Sequence, residues 1–260
     1  MDSGRRREMP SRERSSKCSR ETPKSIITMG NRTIPYRVFR RDVKYRRIEV
    51  RENGEVLVIV PRDFPDPDAF LLKKVGWVLE KLEKIDEYRE FSERINSGGK
   101  FPLFGELYKV RVKRGPYNFA IEKDVLLVSL PDTSRTCSYM ERKIRESLKG
   151  RLRGRVESYS QRIGVEAGEV RIKKMKSKWG SCSHLGNLNF NLKIAGLPEY
   201  LFNFVVAHEV IHLKHHRHSK EFKEVCRELF PNYKELQEEV AMWWYALQNN
   251  PYWRRIYGNL

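Results

Sequence analysis

The chain has 260 residues, of which 39% are hydrophobic and 11% aromatic, and this composition excludes a largely disordered protein. The formal net charge of +18 suggests contact with nucleic acid or with an acidic partner, although no known nucleic-acid-binding motif accompanies the charge. Four widely spaced cysteines without a CxxC pair argue against a disulfide framework and a cysteine-rich zinc site, and favour a reducing, cytoplasmic setting.

The first 132 residues predict a basic arm followed by a β-rich region. Residues 1–25 are rich in Arg and Ser and almost lack apolar side chains, so we expect a disordered arm rather than a secretory signal. No run of about 18 apolar residues occurs, so we expect no contact with a membrane. In residues 26–132, which are rich in β-branched and aromatic side chains, the turn signals Asn53-Gly54 and Gly115-Pro116 predict hairpins. Apolar spacing over residues 66–90 predicts one amphipathic helix.

The remaining residues predict mainly helices around two short strands. Residues 133–165 carry apolar side chains four residues apart, which indicates a helix that connects the two halves. Residues 166–248 are predicted to form a compact core with strands at 169–174 and 188–192, a helix from about 198 through the histidines, and helices at 219–229 and 233–247. Residues 249–260 are predicted to be a C-terminal tail, and no segment repeats at a fixed period.

The segment HEVIHLKHHRH, residues 208–218, contains five of the six histidines and the HExxH pattern. On a helix, residues four apart lie about 40° apart around the axis, so His208 and His212 direct two imidazoles into one space, which zinc accepts. Glu209 lies beside the first ligand and can accept a proton from water whose pKa zinc lowers to about 7. The apolar stretch YLFNFVVA before the motif predicts a buried helix that fixes the site.

Three other interpretations of this cluster stay open: a chance match, a solvated group of histidines and a structural zinc site. The glutamate next to the first histidine favours water activation, since a structural site would more often include cysteine. Cys182 has no zinc-ligand spacing, so we interpret it as a buried thiol rather than a thiolate near the metal.

A catalytic zinc needs a third protein ligand and an open position, and two histidines are candidates. His215 lies on the same face as His208 if the helix continues past His212. His218 has the spacing of HExxHxxGxxH, in which a glycine ends the helix so that the last histidine can turn back. His215 occupies that glycine position here, but SKEF can cap a new helix at Ser219, and a helix break just before it favours His218.

The segments RIKKMKSKWGSCSHLGNLNFN and VVAHEVIHLKHHRHSKEF closely resemble the YgjP-like family of predicted zinc metallopeptidases, distant relatives of the SprT-like and gluzincin groups. IPYRVFRR, GEVLVIVPRDF and FPLFGELYKV resemble it too, and the resemblance covers residues of about 34–245. It implies an α+β fold in which a β-rich N-terminal part packs on a helical zincin-like catalytic core. It also implies zinc held by His208, His212 and His218, with Glu209 as general base. Arg217 stands where the family pattern has Asn.

The WGSCS motif and the strand after it are candidates for substrate binding. Trp179 could form a wall of the active site, and a position in the core is the alternative. Residues 187–191 could form an edge strand that pairs with an extended substrate peptide, with contacts from Asn189 and Asn191.

We therefore expect a cytoplasmic zinc-dependent metallopeptidase that hydrolyses peptides or proteins. The alternative is a nucleic-acid-associated protein, for example a protease of DNA-bound proteins, in which the basic surface and the arm direct function. Charge placement distinguishes the two, because a continuous basic stripe leading to the zinc cleft would favour the second.

Overall fold

The computed structural model describes residues 25–29 and 32–258, so the predicted arm, apart from its last residue, lies outside the described residues. The chain divides into two compact units, Met1–Asp86 and Glu87–Leu260. Helix α2, Val75–Asn96, begins in the first unit and ends in the second. Within the described part of the chain, no helix combines the length and apolar character needed to span a lipid bilayer.

The first unit is built on a four-stranded mixed sheet with the spatial order β1-β2-β4-β3. The strands are β1 Ser25–Met29, β2 Arg32–Arg41, β3 Arg47–Val50 and β4 Val56–Pro61. Strands β2 and β4 run parallel, and the other neighbours are antiparallel. Because side chains alternate between the faces of a strand, Val56, Val58 and Val60 share one face, which packs with residues of helices α1, Pro67–Leu72, and α2.

The second unit begins with a sheet of the same design, in the order β5-β6-β8-β7. Its strands are β5 Phe101–Leu103, β6 Glu106–Arg114, β7 Asn118–Glu122 and β8 Val125–Leu130, and α3, Thr136–Ile163, follows. Again the second and fourth strands run parallel and the other neighbours are antiparallel. The two sheets therefore repeat one topology, which the sequence does not show as a fixed period because the connections differ in length.

One of the two predicted hairpins is confirmed and the other is wrong. Asn53-Gly54 lies in the turn between the antiparallel strands β3 and β4, and Gly54 has a φ of 82°. At Gly115-Pro116 no hairpin forms, because β6 pairs with β8 and not with β7. Strand β8, which is almost entirely buried, lies inside the sheet, and the more exposed β7 lies at its edge.

The rest of the second unit contains a three-stranded sheet and four helices. Strands β9 Val170–Lys173, β10 Gly180–Cys182 and β11 Leu188–Asn191 have the order β10-β11-β9, with β11 antiparallel to β10 and parallel to β9. The helices are α4 Glu199–Ile211, α5 Lys220–Leu229, α6 Tyr233–Asn249 and α7 Pro251–Tyr257. The α+β class is confirmed, with mixed sheets in the N-terminal half and helices after them.

One hydrophobic core joins the elements of the second unit. The four-residue spacing predicted for the connecting helix is confirmed, since α3 buries Ile144, Leu148, Leu152 and Val156. The predicted C-terminal tail instead contains α7, because Asn250 caps the helix and Trp253 is fully buried against the core. Helices α3 and α7 therefore pack in the same hydrophobic core as α4, the helix that carries the HExxH segment, and hold it in place.

Candidate metal centre

Helix α4 carries the HExxH segment but ends earlier than predicted. The helix was expected to run through the histidine cluster, whereas it ends at Ile211, with His212 as its C-cap. The amides of Leu213 and Lys214 bond to carbonyls three residues earlier, which tightens the last turn. No left-handed residue is needed here: among the described non-glycine residues, positive φ occurs at Phe104 and Lys123. The chain therefore turns without the glycine of the HExxHxxGxxH pattern.

This turn brings a third histidine to the two on the helix. His208, His212 and His218 each offer a ring nitrogen within 4.8 Å of the others. The Nε2 atoms of His208 and His218 are 3.0 Å apart. His215 is not in this group: its backbone carbonyl accepts a hydrogen bond of 2.9 Å from Nδ1 of His212. That bond leaves Nε2 of His212 without a proton and fixes the ring orientation.

Helix α5 supports the three rings from one side. Ser219 caps α5 by accepting from the amide of Phe222, so the predicted helix start at Ser219 is confirmed. The Phe222 side chain is fully buried, and its ring centroid lies 5.0, 4.6 and 4.8 Å from those of His208, His212 and His218. Phe222 therefore forms an apolar platform that restricts the rotamers of all three imidazoles.

Burial favours the neutral form of two of these imidazoles. Burial, with smaller contributions from His212 and His218, lowers the pKa of His208 to about 3. Burial also lowers the pKa of His212, although the carbonyl of His215 acts in the opposite direction. Because only a neutral imidazole has a free lone pair, these shifts favour metal binding near neutral pH.

Glu209 lies in a tight pocket next to the histidines. The residue is 6% exposed, and burial raises the pKa of its carboxyl to about 7, with Lys178 acting in the opposite direction. Strand β10 packs directly on it: a Cβ atom on Gly180 would lie 2.5 Å from Cγ and 2.7 Å from Oε1 of Glu209. The glycine of WGSCS is therefore required by close approach of the strand to the carboxylate.

A cavity of about 680 Å³ opens over the three histidines and Glu209. Its other lining residues come from β10 and its flanks, from the segments after α4 and β10, and from α4 and α6: Ser177, Lys178, Trp179, Gly180, Ser181, Cys182, His184, Phe204, Val205, His216, Gln237 and Val240. The rings of His184 and His216 are 5.7 Å apart. A cavity of this size admits several residues of a peptide.

The predicted substrate-contact residues have different surroundings. Trp179 lines the cavity, and its ring packs edge-on against Trp244 at 4.9 Å. Asn189 is outside the lining and points to Ser181 across the strand pair, at 3.5 Å. Asn191 is fully buried, and its amide nitrogen donates to the carbonyls of Met175 and Lys178. Asn191 thus holds the segment before β10 and has no surface to offer a substrate.

The predicted edge strand is also placed differently. Strand β11 lies in the centre of its sheet, and β10 is the edge strand that lines the cavity. Cys182 lines the cavity and is half-buried, and burial raises the pKa of its thiol, so a thiolate is disfavoured. The contacts of Gly180 and Phe222 could not be predicted from the sequence, because both depend on packing between distant segments.

Comparisons with known proteins place the chain in a family. A family model described as YgjP-like, metallopeptidase domain, matches residues 44–241. The crystal structure of the metallopeptidase zymogen of Pyrococcus abyssi abylysin is 23% identical with a TM-score of 0.32, over 34% of this chain and 90% of that one. For the zymogen of Methanocaldococcus jannaschii jannalysin the values are 24%, 0.31, 35% and 86%. A comparison with curated proteins gives no match. Because the family model matches well over half of the residues, the chain belongs to the YgjP-like metallopeptidase family.

Proposed function

We propose that the protein is a zinc-dependent metallopeptidase of the HExxH type. The observation that carries the proposal is the convergence of three imidazoles beside one buried carboxylate, in a cavity wide enough for a peptide. In this proposal His208, His212 and His218 hold the ion, and Glu209 acts as general base. No observation on the described residues favours the nucleic-acid-associated alternative, which stays a prediction.

The donor set fits zinc. Three neutral nitrogen donors with the fourth side open to a cavity are typical of catalytic zinc sites, whereas structural sites are closed and usually contain cysteine. The ring N–H of His212 donates to the carbonyl of His215, and such a hydrogen bond from the nitrogen that does not bind the metal is typical of a metal-ligating histidine. The short distance between Nε2 of His208 and Nε2 of His218 is also suited to two ligands of one ion.

In this proposal the ion and the protein contribute different parts of the hydrolysis reaction. Zinc, when bound, supplies a Lewis acid that polarises a carbonyl and lowers the pKa of water. Glu209 accepts the proton of the attacking water and delivers it to the leaving amine. Close packing against Gly180 prevents the Glu209 carboxylate from turning to solvent. A bound dication would lower the pKa of this carboxyl from about 7, so that the ionised form is present to accept a proton.

The substrate in this proposal pairs with β10. This edge strand runs along the cavity, so its main chain can bond to an extended peptide. Trp179 forms part of the wall. Asn189 and Asn191 contribute indirectly, the first through Ser181 and the second through the segment before β10.

Cleavage of an unfolded protein such as casein tests the proposal. We expect the wild type to cleave casein and to lose the activity with a chelator, and Glu209→Gln to keep zinc but lose cleavage. Glu228→Gln is the matched control, because Glu228 is an exposed acid near the C-terminal end of α5 and should leave cleavage unchanged. Equal cleavage by wild type and Glu209→Gln would overturn the assignment of the general base.

A further inference from the structure

A second groove lies between α3 and β9, and none of its lining residues belongs to the cavity of the metal centre. Two adjoining cavities of about 680 and 470 Å³ form it, and both are lined by Lys149, Val170 and Ile172. The groove therefore follows the length of β9, with α3 as its other wall.

Strand β9 offers unpaired backbone groups to this groove. It is the terminal strand of its sheet, and among the described residues it pairs with β11 alone. The carbonyl of Glu169 bonds to the amide of Leu188 on the β11 side, so by alternation the main-chain groups of Val170 and Ile172 point away from β11. The Ile172 carbonyl accepts a 2.9 Å hydrogen bond from Arg145 of α3, as this geometry requires. The N–H groups of Val170 and Ile172 remain available for another strand.

The floor of the groove is apolar with one unsatisfied polar atom. Leu152 and Val156 line it and are almost fully buried by their neighbours in α3 and the core. Ser160 also lines it and is 7% exposed, and its hydroxyl has no hydrogen-bond partner among the described residues. A buried hydroxyl without a partner costs free energy.

The rim of the groove carries unpaired positive charge near the place where the two cavities meet. Lys149 and Arg153 are exposed one turn apart on α3 and form no ion pair with a described residue. The acids beside them are already engaged: Glu141 pairs with Arg145 and Lys174, and Glu146 with Lys143. Glu157, one turn after Arg153 on α3, and Glu166 form no ion pair with a described residue, and both line the cavity that contains Ser160. The part of the rim around Lys149 therefore matches a carboxylate from outside.

We propose that this groove binds an extended acidic segment of a partner protein, which adds to β9 as a further strand. The backbone of the segment bonds to Val170 and Ile172, its apolar side chains pack beside the half-buried side chains of these two residues, and its carboxylates face Lys149 and Arg153. Such strand addition combines main-chain hydrogen bonds with side-chain specificity. The site is independent of the zinc chemistry, since it lies on the opposite edge of the sheet from β10.

Fluorescence anisotropy with three labelled peptides tests this proposal. The probe is Glu-Val-Glu-Val-Glu-Val-Glu, and the comparison peptides replace every Glu with Lys or two of the Val with Pro. The full chain with Glu209→Gln is used, so that cleavage at the metal centre does not interfere. We expect the acidic probe to bind and both comparison peptides to bind at least about tenfold more weakly.

Variants of the groove locate the binding. Lys149→Glu with Arg153→Glu should weaken binding about tenfold, and Lys223→Glu with Lys234→Glu, which changes net charge equally on exposed helices, should not. Val170→Pro removes an N–H on the free edge without affecting the pairing with β11 and should also weaken binding. Absence of binding, equal binding of the Lys peptide, or insensitivity to the Lys149 and Arg153 changes would overturn the proposal. So would tighter binding of a single-stranded oligonucleotide that is lost in the same variants.

Discussion

Gly180→Ala is predicted to remove catalysis while zinc binding persists. The added Cβ would lie 2.5 Å from Cγ, 2.6 Å from Cδ and 2.7 Å from Oε1 of Glu209. Non-bonded carbon atoms approach to about 3.5 Å at their optimum, so the carboxylate must move by roughly 1 Å. Backbone strain plays no part, because Gly180 is not among the glycines with positive φ.

The magnitude follows from this displacement. A catalytic group misplaced by about 1 Å costs on the order of 100-fold in rate, so we expect kcat/KM to fall by about that factor. The three heavy atoms nearest to the new Cβ all belong to Glu209, so we expect zinc content to stay at the wild-type level. A fluorogenic peptide assay combined with metal analysis of the same samples measures both quantities.

Gly150→Ala is the matched control. It adds the same methyl group to α3 at a site with nothing within 4 Å, and alanine in a helix is favoured over glycine by about 1 kcal/mol. We expect unchanged activity and equal or higher thermal stability. Gly180→Ala with activity within about threefold of the wild type would refute the reasoning, because the carboxylate would then tolerate the displacement or play no part in catalysis.

Two further predictions concern the support of the site and the pH dependence of stability. Phe222→Leu keeps an apolar side chain but removes the flat ring that packs against the imidazoles, so we expect zinc affinity to fall by about tenfold. Chelator competition measures the affinity, and an unchanged value would contradict a supporting role of Phe222. Burial lowers the pKa of Lys193 from 10.5 to about 8, so above pH 8 the unfolded chain binds more protons than the folded chain. The free energy of unfolding should therefore rise by about 2 kcal/mol from about pH 7.5 to 9.5. The rise is measured by urea unfolding at each pH. It should be absent in Lys193→Met, and an identical rise in that variant would contradict the assignment of the effect to Lys193.

Much of the site could be predicted because its signals are local. The HExxH spacing depends on the helical period alone, and the cap at Ser219 needs only a serine before a helix-forming segment. The four-residue spacing of α3 is local in the same sense. The end of α4 at Ile211 could not be predicted, since an uninterrupted helix through His215 has an equally good local pattern.

The misplaced elements depend on contacts between distant residues. The order of strands in a sheet decides whether β10 or β11 has a free edge, and residues 180–191 contain no signal for that order. The close approach of Gly180 to Glu209 likewise joins segments that are separated in the chain. The repeated sheet topology was hidden because the two copies share strand order and direction rather than a regular spacing of residues.

The most direct test of the account is the zinc stoichiometry of single histidine variants, measured by native mass spectrometry. We expect one zinc per chain in the wild type and in His215→Ala, since His215 contributes its backbone carbonyl and keeps it in the variant. We expect His218→Ala to lose zinc, because its ring nitrogen completes the group formed with His208 and His212. Full zinc occupancy in His218→Ala, or a wild-type protein that binds no zinc, would contradict the account.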